Sequence, residues 1–396
     1  MADWWVSTGT PQAMEQALRL TPDREEVLAR DAMYRDSSGE QSTAVDEELL
    51  RAVRLNPLDS SVLMTLGLRE EFRGQSAQAE NDLVHAAEID HQFKPAWTLA
   101  NYYYRDGRPD KSWPMIERIL KLDPLGFDPA PVFALCWNQT SNASQILSLI
   151  PKTGHRPVQY LEFLMKTQRA DAAFAAWPEA LAAADPSDPY DSGQMRAFAD
   201  FLVNADRSAE AVTVWNQLVD RGIVSAGHLD PAKGISIADP DFRHPSLSNV
   251  FGWHVAEVSG VLTDGFSGSL RLEIDGNEPE SFQMLSTSAP VLSGTRYSLQ
   301  WKSDGSGVRS PHDPGFSFVV SQRQVGQTIE QTSEAVTQCP PLLAPGDSAC
   351  GFVTSGTRGE MGEVRIDLRY ARAQGTTRVS GTLQLSAVTV RPEFAK

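Results

Sequence analysis

The sequence predicts a multidomain α + β protein, an N-terminal α-solenoid followed by an antiparallel β-sandwich, and three observations carry that prediction. A short phrase recurs at Leu20, Leu55, Ile89 and Leu122, at steps of 35, 34 and 33 positions, in the forms Leu-Thr-Pro, Leu-Asn-Pro, Ile-Asp and Leu-Asp-Pro. Apolar residues at three- and four-residue spacing, the mark of a helix with one buried face, continue as far as Gly222. Beyond Gly222 the period changes to two, that of half-buried strands. At 396 residues the chain also exceeds what one hydrophobic core ordinarily organises.

Residues 1–9 read as a tail and residues 10–225 as the solenoid. A period near 34 is that of tetratricopeptide repeats, each a pair of antiparallel helices. The stretch after Pro57 resembles that family position by position, with Leu63, Leu66 and Gly67 on a first helix, Gly74 at the turn, and Ala79, Leu83 and Ala86 on a second. The resemblance implies that Gly67 and Ala79 sit where the two helices cross, because a larger side chain would force the backbones apart. It implies that Ala86 lets the next repeat stack close by, and that Leu63, Leu66 and Leu83 fill the space between. The following repeat has Trp97 and Tyr104 at large positions and Gly107 at its turn, with Ser112 and Ile119 where Ala is usual. The preceding repeat keeps Leu49, Ala52 and Pro57 but has a weaker first helix. From Gly126 to Gly222 the period blurs. VFALCWNQ, VQYLEFLMKTQ, DAAFAAWPEALAAA, GQMRAFADFLVNA and AEAVTVWNQLVDRG still predict helices, the last two forming another hairpin.

The working surface of a solenoid is usually its concave groove. The groove positions implied by the resemblance are Met64, Leu68, Glu71, Thr98, Tyr102 and Arg105. Members that clamp a peptide's terminal carboxylate carry Lys and Asn there. Met64 and Leu68 cannot do that, so the expectation is a protein partner with an apolar or mixed surface. The competing reading is that these side chains simply pack against later helices.

Residues 226–238, AGHLDPAKGISIA, carry turn residues and no helical stripe, and read as a linker. The sandwich follows over 239–394. Its strands are announced by SLRLEI, RYSLQW, FSFVVSQ, EVRIDLRY and TLQLSAVTV, separated by Gly, Pro and Ser clusters. In EVRIDLRY, Val364, Ile366, Leu368 and Tyr370 alternate with Arg365, Asp367 and Arg369. In the last strand Leu383 and Leu385 fall out of phase with Val388 and Val390, which predicts a bulge near Ala387. Asp239-Pro-Asp-Phe242, FGWHV, SGSLRLEIDG, the strand from Gly294 and the closing GTLQLSAVTVRP together resemble the jelly-roll carbohydrate-binding-like domains of bacterial exported proteins. Ser386-Ala387 stands where that family usually has an Asp. The order of the two halves, with phrases such as PAWTLANYYYRDGR and FGWHV, resembles bacterial tetratricopeptide proteins linked to O-antigen and exopolysaccharide assembly, which usually carry an N-terminal membrane anchor.

Sugar rings stack on exposed aromatics, which makes Trp253 a candidate; Tyr297, Trp301 and Tyr370 alternate with aliphatic residues and read as core. His254, Asp304, Arg309 and His312 lie near strand ends or in loops, where binding residues concentrate. Asp239 and Asp241 offer oxygen ligands suited to a structural Ca²⁺, and a Pro-Asp turn accounts for them equally well. No other cofactor is expected. Cys339 and Cys350 bracket CPPLLAPGDSAC, which reads as a surface loop. A disulfide across its base would stabilise the fold by roughly 3 kcal/mol and place the protein outside the cytoplasm. The alternative is two unpaired thiols in a reducing compartment. Cys136, in PVFALCW, reads as a buried thiol.

The formal charge is −16, and residues 1–230 hold most of it, with 34 Asp and Glu against 21 Lys and Arg. An acidic surface repels phosphate backbones and anionic lipid, so neither nucleic acid nor a membrane surface is an expected partner. No apolar run approaches the ~20 residues of a membrane span. There is no His-Glu-x-x-His, no Gly-rich phosphate loop and no Cys-x-x-Cys, and GFSGS at Gly265 lacks the last Gly of a nucleophile elbow. The expected function is therefore a non-catalytic scaffold. The solenoid would bind a protein, and the sandwich would bind glycan or dock on the solenoid, in an extracytoplasmic setting of polysaccharide assembly. A glycan-active enzyme with carboxylates on sandwich loops and a cytoplasmic adaptor with no sugar role remain the alternatives.

Overall fold

The computed structural model describes residues 11–122, 127–244, 250–265, 267–305, 307–308, 315–322, 334–342, 346–372, 375–376 and 378–393. The tail at 1–9 and the candidates Arg309 and His312 lie outside these residues. The chain forms an α-solenoid followed by a β-sandwich, and it packs as two compact units, Met1–Phe163 and Leu164–Lys396. Among the described residues no helix is long and apolar enough to cross a membrane.

The first unit is built from helices α1 (Pro11–Leu20), α2 (Glu25–Ser37), α3 (Thr43–Leu55), α4 (Ser60–Phe72), α5 (Ser76–Ile89), α6 (Phe93–Arg105), α7 (Pro109–Lys121), α8 (Ala130–Gln139), α9 (Ala143–Leu149) and most of α10 (Arg156–Lys166). Asp59 caps α4 by accepting the backbone N–H groups of Ser61 and Val62, which would otherwise be unpaired at a helix start. At the end of α4 Gly74 takes φ +75°, the left-handed turn that a side chain resists, so α5 can fold back. Gly67 lies at the crossing of α4 and α5. A Cβ there would stand 2.9 Å from Leu83 Cγ and 3.2 Å from the Ala79 carbonyl oxygen. Leu63, Leu83 and Ala86 share a core with Leu99, Tyr102 and Tyr103 of the next repeat, so Ala86 does lie where repeats stack. Ser112, in place of the usual Ala, is fully buried and donates its hydroxyl to the Ala100 carbonyl at 3.2 Å. The weak first helix anticipated before Leu49 is a full helix, α2. The buried Arg69 of α4 reaches back to that repeat, meeting Asp36 at 2.6 Å and Asp46 at 2.5 Å and donating to the carbonyls of Glu40 and Ser42.

The second unit holds α11 (Ala170–Ala183), α12 (Pro189–Asn204) and α13 (Ser208–Asp220) together with ten strands: β1 (His254–Val255), β2 (Val261–Asp264), β3 (Leu270–Ile274), β4 (Ser281–Leu292), β5 (Arg296–Asp304), β6 (Phe316–Gln322), β7 (Glu334–Gln338), β8 (Gly346–Val353), β9 (Met361–Ala371) and β10 (Gly381–Pro392). They form two antiparallel sheets, ordered β1-β4-β9-β6-β7 and β2-β3-β10-β5-β8. The core lies between the sheets, with Tyr297, Leu299 and Trp301 of β5 facing Phe316, Phe318, Ile366, Leu368 and Tyr370. The β10 ladder slips between Ser386 and Thr389, and Ala387 takes φ +52°, which is the anticipated bulge.

Three further observations correct or extend the sequence reading. The span between the cysteines is not loop throughout, since β8 begins at Gly346 and contains Cys350, while Leu342 is buried. Cys339 is bonded to Cys350. One follows the edge strand β7 of the first sheet and the other lies on the edge strand β8 of the second, so the bridge ties sheet to sheet. Finally, the segment 226–238 is held along its length. The Trp215 indole N–H donates to the Gly227 carbonyl at 3.0 Å, the Asn216 amide takes both the N–H and the C=O of Leu229, and Gly227 N–H donates to the Ala238 carbonyl.

Helices α12 and α13 meet the segment that leads into the strands. Trp215 of α13 is fully buried with its ring edge-on to Phe251, 5.5 Å between centroids. Asp200 of α12 accepts the Val250 N–H at 2.7 Å, and its burial pushes the carboxyl up to about 6. A carboxyl with a folded pKa above its unfolded value near 3.9 favours the fold when protonated, so its cost builds as pH rises from about 3.9 to about 6 and is complete above that. Asp200→Asn keeps the acceptor without the charge. The melting temperature of the variant is therefore expected to exceed that of the native protein by more at pH 7.5 than at pH 5. Equal differences at both values would show that the carboxylate is not the pH-sensitive group.

Candidate functional site

Two surfaces bring polar or apolar side chains together without burying them. The first is on α2, α4 and α6 of the solenoid. Leu68 is 41% exposed and Phe72, one turn further along α4, is 78% exposed. Tyr34 of α2 is exposed too. Glu71 of α4 and Arg105 of α6 form a two-point ion pair at 2.8 and 2.6 Å that ties neighbouring repeats together. Thr98 is half-buried and donates its hydroxyl to the Lys94 carbonyl at 2.9 Å, a bond within its own helix. Met64 and Tyr102 are buried, and the Tyr102 hydroxyl donates to the Ser76 carbonyl. Of the six expected groove residues, these two are packing residues; Leu68, Glu71 and Arg105 reach the surface. Phe72 and Tyr34 were missed. Their exposure follows from the register of successive helices, which spacing alone does not reveal.

The second surface is on the sheet β1-β4-β9-β6-β7. Since Val364, Ile366, Leu368 and Tyr370 of β9 point into the core, Arg365, Asp367 and Arg369 point to the outer face. Asp367 is fully buried and meets Arg365 Nε at 2.8 Å and Arg369 Nη2 at 2.6 Å. The register sets Gln283 of β4 and Ser317 of β6 directly beside Arg369. A groove of about 530 Å³ opens here, with Ser281, Gln283, Ser317, Gln338 and Arg369 among its lining and Phe282 and Pro341 at its apolar parts. The Gln338 amide donates to the Ser317 hydroxyl at 3.4 Å. The alternation in EVRIDLRY could have pointed to the arginines; nothing in the sequence pairs them with Gln283 or Ser317.

The glycan candidates do not gather there. Trp253 is 3% exposed, its ring on Phe242 and its indole N–H donating to the Asp239 carbonyl at 2.8 Å, so it offers no face to a sugar. His254 is exposed in β1 and Asp304 is exposed at the end of β5, on the other sheet. The Asp239 carboxylate accepts the backbone N–H groups of Arg243 and His244, each at 2.9 Å, and Asp241 pairs with Arg243 at 3.3 Å. Both acids therefore hold the turn that opens the strand region.

No family model matches the sequence, and no curated protein matches it. Among solved structures the chain is similar to one described as "CBM4 structure and function", at 15% identity over 40% of this chain and all of that one, with a TM-score of 0.29. It is also similar to YrrB, a TPR protein with an unusual peptide-binding site, at 11% identity over 52% of this chain and 91% of that one, with a TM-score of 0.28. A third likeness is to pilF of Pseudomonas aeruginosa, at 15% identity over 57% of this chain and 93% of that one, with a TM-score of 0.29. Likenesses this distant bear on neither activity nor partner.

Proposed function

We propose that this chain is a non-catalytic binding scaffold. The solenoid unit engages a segment of a protein partner, and the groove on the sheet engages a glycan. The observation that carries the reading is the exposure of Leu68 and Phe72 on one helix face, an apolar stripe that water would otherwise be left to cover. The Glu71–Arg105 pair beside the stripe is suited to orient a polar flank of the same segment. A peptide library panned against the whole protein is expected to enrich sequences with apolar or aromatic anchors. Their affinity should fall by about ten-fold or more in Leu68→Glu/Phe72→Glu, since each lost anchor is worth on the order of 1–2 kcal/mol. Enriched peptides that bind the double variant as well as the native protein would overturn the reading.

The glycan half is supported by the amide, hydroxyl and guanidinium groups that line the groove around Arg369. An extracytoplasmic setting, in envelope polysaccharide assembly, fits a groove of this kind together with the Cys339–Cys350 bridge, which persists in oxidising compartments. Protein from its native source, denatured without reductant, is expected to titrate as one thiol, Cys136. Three thiols would remove the support for that setting.

A further inference from the structure

We infer that the open edge of β8 takes an extended segment of a partner protein as an added strand of the second sheet. Neither the solenoid stripe nor the groove at Arg369 is involved. Strand β8 pairs with β5 in unbroken register, from Val353 opposite Arg296 to Gly346 opposite Ser303. The Thr354 N–H donates to the Thr295 carbonyl, so by the alternation of an antiparallel ladder Phe352, Cys350 and Ser348 are the residues bonded to β5. Asp347, Ala349, Gly351 and Val353 therefore turn their N–H and C=O groups away from β5. Arg296, opposite Val353, has the matching phase, because its carbonyl accepts the Glu393 N–H on the β10 side. All four outward residues are exposed, and among the described residues none of their backbone groups has a hydrogen-bond partner.

Three features set this edge apart from the rims that any sandwich has. The other edge strands are short, two residues in β1, four in β2 and five in β7, whereas β8 has eight. Exposed edges are ordinarily blunted by brevity, charge, proline or a bulge, and from Ser348 to Val353 β8 has none of these. Gly351 lies inside a strand, where glycine weakens pairing, yet its φ is not left-handed and the nearest atom a Cβ would meet in this chain is 3.9 Å away. The missing side chain leaves room for a second backbone. Val353 is 51% exposed, and a groove of about 540 Å³ opens beside it, lined by Gly351, Phe352 and Val353 of β8 and by Thr337 of β7. Donors and acceptors that recur every second residue, about 7 Å apart, match the edge of another extended polypeptide, and a segment of about seven residues fills this one. Val353 and the groove favour β-branched side chains in that segment. A second copy of this chain would bring its own charge of −16, which opposes association.

The test is amide hydrogen exchange of the full chain, followed residue by residue by NMR, with a library of heptapeptides of Val, Ile, Thr and Ser blocked at both ends. The peptides are N-methylated at alternate residues, which leaves one edge to pair and prevents them from stacking into fibres. The same peptides N-methylated at every residue are the control. Bound peptide is expected to slow exchange at Asp347, Ala349, Gly351 and Val353 by about ten-fold or more, with little change at Ser348, Cys350 and Phe352, which are already bonded to β5. Gly351→Pro removes one outward donor and none of the bonds to β5, and is expected to weaken the peptides by about five-fold or more. Val353→Lys keeps every backbone group and puts a charge on the edge; it is expected to weaken them as well, and serves where Gly351→Pro fails to fold. Absence of binding, binding that leaves the alternate set unprotected, or equal binding of the fully methylated control would overturn the inference. Protection of the same set that grows with protein concentration in the absence of peptide would assign the edge to a second copy and overturn the choice of a partner protein.

Discussion

Trp215→Ala is expected to destabilise the second unit by about 4 kcal/mol, near the upper end for truncating a buried aromatic. The magnitude follows from what the indole does. It is fully buried, its ring edge meets Phe251, and its N–H donates to the Gly227 carbonyl. Its removal opens a cavity between α13 and the strand region and takes away the donor to the Gly227 carbonyl, so a lost hydrogen bond adds to the cavity cost. Denaturant unfolding followed by circular dichroism measures the loss. Hydrogen exchange should show the amides of Gly227 and Val250 losing protection first, because both are bonded at this junction. A loss below about 1 kcal/mol would mean that the helices and sheets of this unit do not depend on one another at this side chain.

Gly67→Leu is expected to cost the solenoid unit about 3 kcal/mol, because an overfilled crossing forces whole helices to move. The added Cβ would already press on Leu83 Cγ and on the Ala79 carbonyl, and the backbone oxygen cannot swing aside. Leucine's better helix propensity returns about 1 kcal/mol at most, so the sign of the change is settled by the contact. Thermal unfolding checks it. Gly67→Leu with Leu83→Ala should recover part of the loss, since the nearest obstructing atom is then gone. A stabilised single variant would show that the two helices are free to separate.

How much was legible follows from which forces act locally. The solenoid announced itself because each of its repeats solves the same packing problem with the same small residues, Gly67, Ala79 and Ala86, at a fixed interval. Strands β5 and β9 were legible because apolar residues facing the core alternate with polar ones, which writes a period of two. Strand β4 was not. Its residues Met284 to Val291 are buried on both faces, and Ser286, Thr287 and Ser288 make it look like a turn; Ser288 is bonded to Val250 and Thr287 to Phe251. A register slip between Gln283 and Leu285 breaks its phase as well. Helix α9 was missed because seven residues are too few to display a stripe. The candidate sites fared worse for a related reason. Met64, Tyr102 and Trp253 were proposed from residue type and family position, and their burial depends on what folds over them. The groove at Arg369 is assembled from four strands, β4, β6, β7 and β9, and register between strands is a tertiary property that no local pattern encodes.

The bridge from Cys339 to Cys350 has a consequence for the life of the molecule after it is made. Because it fastens the rim of one sheet to the rim of the other, a protease that cuts the backbone between the two sulfurs leaves the two sheets covalently joined. Both pieces stay attached through the sulfurs, so β7 and β8 remain joined at their rims after such a cut.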